Sequence, residues 1–146
     1  MRLVVDASTL VAEVLRRRGR QLLSHADLEL FVAAEAWSET LHELRKRAAL
    51  LVTRGHLNAE EATQLLNDAL ATVGARVRPI RAEVYADRLT EASRRIPRDP
   101  RDAPTVALAL ALDCGIWTGD GDFLGCGVPV WTTETLQLQL GAQSAR

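Results

Sequence analysis

Short apolar runs alternate along the chain with longer stretches in which apolar residues return every three or four positions. Residues 2–5, Arg-Leu-Val-Val, are closed at once by Asp6, the pattern of a buried strand that ends at a carboxylate. From residue 8 to about 18, Leu10, Val11, Val14 and Leu15 recur at helical spacing behind Ser8, a residue type suited to an N-cap. A second strand is predicted over 28–32. A long helix over 35–52 then sets Trp37, Leu41, Leu44, Ala48 and Leu51 on one side. Asn58 and Glu61 have capping-box spacing and open a helix that carries Leu65, Leu66, Ala69, Leu70 and Val73 toward a C-cap at Gly74. A strand over 77–80 is weakened by Pro79, and a helix is predicted over 82–94. After the break at 96–100, Asp102 is placed to cap a helix over 103–112 in which Pro104 falls in the tolerant first turn. Strands over 116–118 and 128–131, and a helix from Thr132 or Thr133 to about Leu140, complete the series. Strand and helix alternating in this way predict a three-layer α/β/α fold around a central, mostly parallel sheet.

Length and composition narrow the class. With 146 residues, 47% hydrophobic and 25% charged, the chain suits one domain, expected over 1–140 with 141–146 as a flexible tail. The longest apolar run, residues 106–112, falls far short of the roughly 20 a spanning helix needs, and no cleavable leader is expected. A soluble, cytoplasmic protein without a membrane partner is expected. Cys114 and Cys126 form no CxxC pair and are expected to be core thiols. All basic residues but Lys46 are arginines, the side chain suited to forked contacts with phosphate or carboxylate. The lack of any later lysine argues against haloacid-dehalogenase-like phosphatases and receiver domains, and no GxxxxGK[ST] loop is present.

The acids carry the candidate chemistry. In parallel sheets, ligands bind beyond the carboxyl ends of strands, where Asp6 and Asp120 are expected. Asp102 begins the helix before the Asp120 strand, and Glu39 lies early in the helix after the second strand. Two carboxylates about 4 Å apart repel by about 4 kcal/mol at an effective dielectric of about 20, so converging acids must share a proton or recruit a cation. Oxygen-only ligands favour Mg²⁺ or Mn²⁺. Singly, each acid also has an ordinary role: Asp6 ends a strand, Asp102 caps a helix, and Asp120 and Asp122 sit in a Gly-Asp-Gly-Asp turn.

Four segments together resemble the PIN-domain nucleases, especially VapC-type toxins of type II toxin-antitoxin modules. They are Leu3-Val-Val-Asp-Ala-Ser-Thr-Leu10, Ser38-Glu-Thr-Leu-His-Glu-Leu-Arg45, Asp102-Ala-Pro-Thr-Val-Ala-Leu-Ala109 and Ile116-Trp-Thr-Gly-Asp-Gly-Asp-Phe123. The resemblance spans about residues 2–138 and implies a PIN-like fold and a Mg²⁺-dependent endoribonuclease, with Mn²⁺ as the other candidate ion. By the family pattern Asp6, Glu39, Asp102 and Asp120 match the catalytic, metal-binding acids, and Asp122 matches an additional metal-binding acid. Ser8 matches a small polar residue after the first acid, and Thr118 a hydroxyl before the fourth. Asp99 lies three residues before Asp102; Asp102 is preferred because the Ala-rich helix follows it at the family's offset. Ala7 stands where members often carry threonine, which leaves a hydroxyl interaction open.

An acidic centre that acts on RNA needs positive charge around it. Arg16, Arg17, Arg18 and Arg20 form one run, Arg45, Lys46 and Arg47 another, and Arg94, Arg95, Arg98 and Arg101 a third that adjoins Asp102 and is preferred as the RNA contact. His25, His42 and His56 suggest no ligand set, and Trp37, Trp117 and Trp131 read as core or interface residues. The apolar surplus over 35–73 predicts a homodimer or a groove for an antitoxin helix. An RNA-processing nuclease and a catalytically silent RNA- or protein-binding module are the alternative readings.

Overall fold

A computed structural model of the protein describes residues 1–145; Arg146, at the end of the expected tail, lies outside them. Five strands form one sheet: β1 (Arg2–Val5), β2 (Glu29–Ala33), β3 (Val77–Ile80), β4 (Gly115–Trp117) and β5 (Val130–Trp131). Their order is β3-β2-β1-β4-β5, and every neighbouring pair is parallel. β1 is central, with Leu3 opposite Leu30 on one side and Gly115 on the other. Leu3, Val4 and Val5 are all buried, which is why this strand reads as an unbroken apolar run. β3, which carries Pro79, is an edge strand, where a missing ladder donor costs least. The chain builds outward from β1 to β3, then returns across β1 to β4 and β5, so the crevice at the reversal opens beyond the carboxyl ends of β1 and β4.

Among the described residues, seven α-helices accompany the sheet: α1 (Ala7–Val14), α2 (Arg17–Leu23), α3 (Ala34–Thr53), α4 (Ala59–Arg76), α5 (Leu89–Arg95), α6 (Ala103–Leu112) and α7 (Thr133–Ser144). α3 packs along α4, while α6 lies against β1, β2 and β4. Ala103 and residues 105–109 of α6 are all buried, so this helix has almost no polar face and its apolar run shows no helical period. The fold is thus the expected α/β arrangement, with a sheet that is wholly parallel.

Several local expectations are corrected. The helix predicted over 8–18 is two helices, because the chain breaks after Val14 and α2 folds back onto the end of α1. Gly19 makes that approach possible: a Cβ there would overlap the Glu13 carbonyl oxygen. Arg20 donates to the Val14 carbonyl at 3.1 Å, satisfying an end that the helix leaves open. The cap of α1 is Asp6 rather than Ser8. The helix predicted over 82–94 begins as two 3₁₀ turns, Ala82–Val84 and Ala86–Arg88, and becomes α-helical only at Leu89. Between these turns the fully buried Tyr85 accepts from the Ala34 backbone N–H at 3.1 Å and donates to the Glu35 carboxylate, anchoring the start of α3. α4 continues through Gly74 to Arg76, whose guanidinium donates to the carbonyls of Leu23 and His25. Thr132 caps α7, which runs past the expected end at Leu140 to Ser144, so positions 141–144 are helical. Cys126 is buried and Cys114 half-buried, both as free thiols. Trp117 is buried and donates to Thr133, whereas Trp37 and Trp131 are half-buried against the core.

Candidate functional site

Asp6 leaves the end of β1 with its side chain nearly enclosed, 6% exposed. Its Oδ1 accepts from the Ser8 backbone N–H at 2.9 Å, and the Ser8 hydroxyl lies 3.2 Å from both carboxylate oxygens. Oδ2 also accepts from Thr9 Oγ1 at 3.2 Å and from Thr118 Oγ1 at 2.5 Å. Each threonine hydroxyl accepts in turn from the turn after β4: Gly119 N–H donates to Thr9 at 3.0 Å and Asp120 N–H to Thr118 at 3.0 Å. Two hydroxyls therefore tie the ends of β1 and β4 together through one carboxylate. Each gives its single proton to Asp6 and receives a backbone N–H, which leaves no buried donor idle. Thr9 was not among the expected site residues. Its signal lies in the Asp-Ala-Ser-Thr order, which supplies the hydroxyl three residues after the acid that Ala7 cannot.

Asp120 turns the chain beyond β4, its Oδ1 accepting from the Asp122 N–H at 2.9 Å, an Asx turn that holds the two acids side by side. Asp102 was expected to cap α6. It occupies the position before the helix, but its side chain makes no capping hydrogen bond. Capping is done one turn earlier by Asp99, which accepts from the Arg101 N–H at 3.0 Å and pairs with the Arg101 guanidinium at 3.0 and 3.2 Å. Asp99 thus shapes the Asp-Pro turn, and the carboxylate of Asp102 is left to the crevice.

One oxygen each from Asp102, Asp120 and Asp122 lies within 4.8 Å of the other two. Burial, then the charges of Asp99, Asp6, Asp120 and Asp122, push the Asp102 carboxyl up to about 6. Such a shift marks carboxylates crowded without enough positive charge, and an all-oxygen donor set of this kind fits a hard divalent cation. Glu39 stands apart from this group. It is exposed on α3 and lines a cleft of about 580 Å³ with Glu35, His42, Glu43, Pro100, Arg101 and Pro104. Glu39 adds its charge to the field that raises the Arg101 guanidinium further, after Asp99.

Arg95, Arg98 and Arg101, before Asp102, differ in their commitments. Arg95 pairs with Glu91 at 2.9 Å and donates to the Cys126 carbonyl at 3.1 Å, binding α5 to the loop after Asp122. Gly127 is shaped for this contact, with φ +87° and no Cβ to strike the Arg95 guanidinium. Arg101 is held by Asp99. Arg98, largely exposed, donates to Asp122 Oδ1 at 3.1 Å.

Among solved structures, the chain is similar to PAE2754 from Pyrobaculum aerophilum, with a TM-score of 0.69 and 21% identity over 98% of this chain and 91% of that one. It is also similar to a toxin-antitoxin complex from Klebsiella pneumoniae (TM-score 0.57, 21% identity, 89% of this chain and 96% of that one). A third is FitAcB from Neisseria gonorrhoeae (TM-score 0.52, 22% identity, 90% and 96%). At these identities the likeness is one of fold. No curated protein sequence matches the chain. A family model described as PIN domain matches residues 4–141, nearly the full length, and the chain belongs to the PIN domain family.

Proposed function

We propose that the protein is a divalent-metal-dependent endoribonuclease and the toxin component of a type II toxin-antitoxin pair. The observation that carries the reading is the convergence of Asp102, Asp120 and Asp122 within 4.8 Å, beside a buried Asp6 and at the crevice where a parallel sheet binds ligands. Asp102, Asp120 and Asp122 would hold the ion, with Asp6 completing the site from the β1 side. The chemistry such an ion supplies is acidification of a water and neutralisation of phosphate charge. The protein's own contribution is placement. Ser8, Thr9 and Thr118 hold the Asp6 carboxylate in place by donating to it. Asp120 holds the backbone that carries Asp122. Glu39, across the adjoining cleft, is suited to accept a proton or orient a water rather than to join the three-acid group. Arg98 and Arg101 are the side chains offered to the RNA backbone. Arg95 contributes by fixing the loop.

Two features support a protein partner. Similar structures include a toxin-antitoxin complex. An open cleft of about 560 Å³ along α3 and α4 combines Leu15, Leu50, Leu51 and Leu65 with Lys46, Arg47, Arg54 and Glu43, a mixture suited to an acidic amphipathic segment of an antitoxin. Leu124 and Leu138, both more than 70% exposed, are apolar side chains open to contact with a second copy of the chain. No helix among the described residues is long and apolar enough to cross a membrane.

The test is cleavage of total RNA by purified protein with and without divalent ion, with Asp6→Asn as the control for contamination. Ion-dependent cleavage that disappears in the variant is expected. Cleavage by the variant, or in excess chelator, overturns the reading.

A further inference from the structure

Arg98 lies in the connection between α5 and the turn that ends at Asp102, and its guanidinium reaches Asp122 Oδ1 at 3.1 Å. Elsewhere in the basic run, Arg95 pairs with Glu91 and the Cys126 carbonyl, and Arg101 pairs with Asp99. The Arg98 side chain is 79% exposed, and among the described residues its ion-pair partner is Asp122 alone. Arg98 is thus the arginine of the run that is paired with a member of the three-acid group.

A guanidinium and a divalent ion make opposing demands on one carboxylate. A charge-assisted hydrogen bond withdraws electron density from Asp122, and the positive charge repels a second cation a few ångströms away. Guanidinium geometry also matches a phosphate as well as it matches a carboxylate, with donors to spare. We propose that Arg98 competes with the divalent ion for Asp122, so that ion binding releases the Arg98 guanidinium to a phosphate of the bound RNA. The inference rests on the metal-centre reading above. It makes Arg98 a positioning residue that couples ion loading to substrate binding, so that each strengthens the other.

The experiment is calorimetric titration of Mn²⁺ into the full-length protein, Arg98→Gln and Arg98→Lys, without RNA. An exposed pair of this kind predicts Mn²⁺ binding about two- to fivefold tighter in Arg98→Gln, with Arg98→Lys close to the unmodified protein. A second arm measures binding of an RNA oligonucleotide with and without Ca²⁺; the gain in affinity on adding Ca²⁺ should be smaller in Arg98→Gln. Equal or weaker Mn²⁺ binding by Arg98→Gln overturns the competition, while a metal centre that still binds ion in both proteins leaves the broader reading standing. Failure of both proteins to bind Mn²⁺ stoichiometrically removes the metal centre and the competition with it.

Discussion

Replacing Asp102 by asparagine should stabilise the apo protein at pH 8, and the size of the gain follows from the crowding around it. Burial and the charges of Asp99, Asp6, Asp120 and Asp122 hold the Asp102 proton to about pH 6, against an ordinary 3.8. Taken at face value, that difference is a penalty of about 3 kcal/mol on the ionised form. Asp102 is only half-buried, and solvent screening reduces the figure to about 1–2 kcal/mol. Because the folded protein keeps the proton more tightly than the unfolded chain, the penalty is absent below the unfolded value, grows as pH rises from about 4 to about 6, and is complete above that. Urea denaturation of both proteins in chelator, at pH 8 and at pH 4, checks the sign. The advantage of Asp102→Asn should be present at pH 8 and nearly gone at pH 4. Mg²⁺ should then reverse the order at pH 8, since an ion held by the native carboxylates stabilises only the protein that retains them. A variant less stable than the parent at pH 8 in chelator, or a pH-independent gain, would refute the electrostatic account of the cluster.

The other perturbations address the supports of the site. Thr118→Val removes a donor from Asp6 and the acceptor of the Asp120 N–H, and should cost about 1–3 kcal/mol in urea denaturation together with RNA cleavage; an unchanged midpoint would show the hydroxyl to be idle. Gly127→Ala places a Cβ at positive φ and against the Arg95 guanidinium, for an expected loss of about 1–3 kcal/mol. Adding Arg95→Ala should make the double variant lose less than the sum of the two, and strict additivity would reject the contact. Tyr85→Phe strips the acceptor from the Ala34 N–H and the donor from Glu35, and a thermal melt should fall by an amount equivalent to about 1–3 kcal/mol. Glu39→Gln should slow cleavage while Mn²⁺ affinity stays near that of the parent, since Glu39 stands outside the three-acid group; a large loss of Mn²⁺ affinity would place it among the ligands.

How much of this could be read from the residues depends on the range over which each feature is determined. β1 and α6 are legible because burial on all sides writes an unbroken apolar run, and Asp6 and Asp120 stand out because each follows such a strand. The break between α1 and α2 is not legible from periodicity, since Leu15 continues the apolar pattern. It depends on Gly19 lying on the carbonyl of Glu13 and on Arg20 reaching back to Val14. The helix expected from residue 82 fails for a similar reason: Tyr85 is drawn into the core by partners some fifty positions away, Ala34 and Glu35, and the backbone bends to deliver it.

The site divides along the same line. Its acids announce themselves by position, but their roles are set by who else binds them. Asp99 and Asp102 look alike on paper, three residues apart, and either could cap α6. Arg101 settles the matter, because its backbone N–H and guanidinium both fall to Asp99, and the Asp102 carboxylate, which makes no capping bond, meets those of Asp120 and Asp122. Thr9 is illegible in the sequence for the opposite reason. Its neighbour Ser8 fits the local pattern, while the group that gives Thr9 its purpose, the Gly119 N–H, is 110 residues away. An acid cluster of this kind is costly to hold together, and here threonine hydroxyls fix Asp6 while Asp99 takes the donors of Arg101. Removing those supports should therefore damage the centre as surely as removing an acid, while leaving its charge intact.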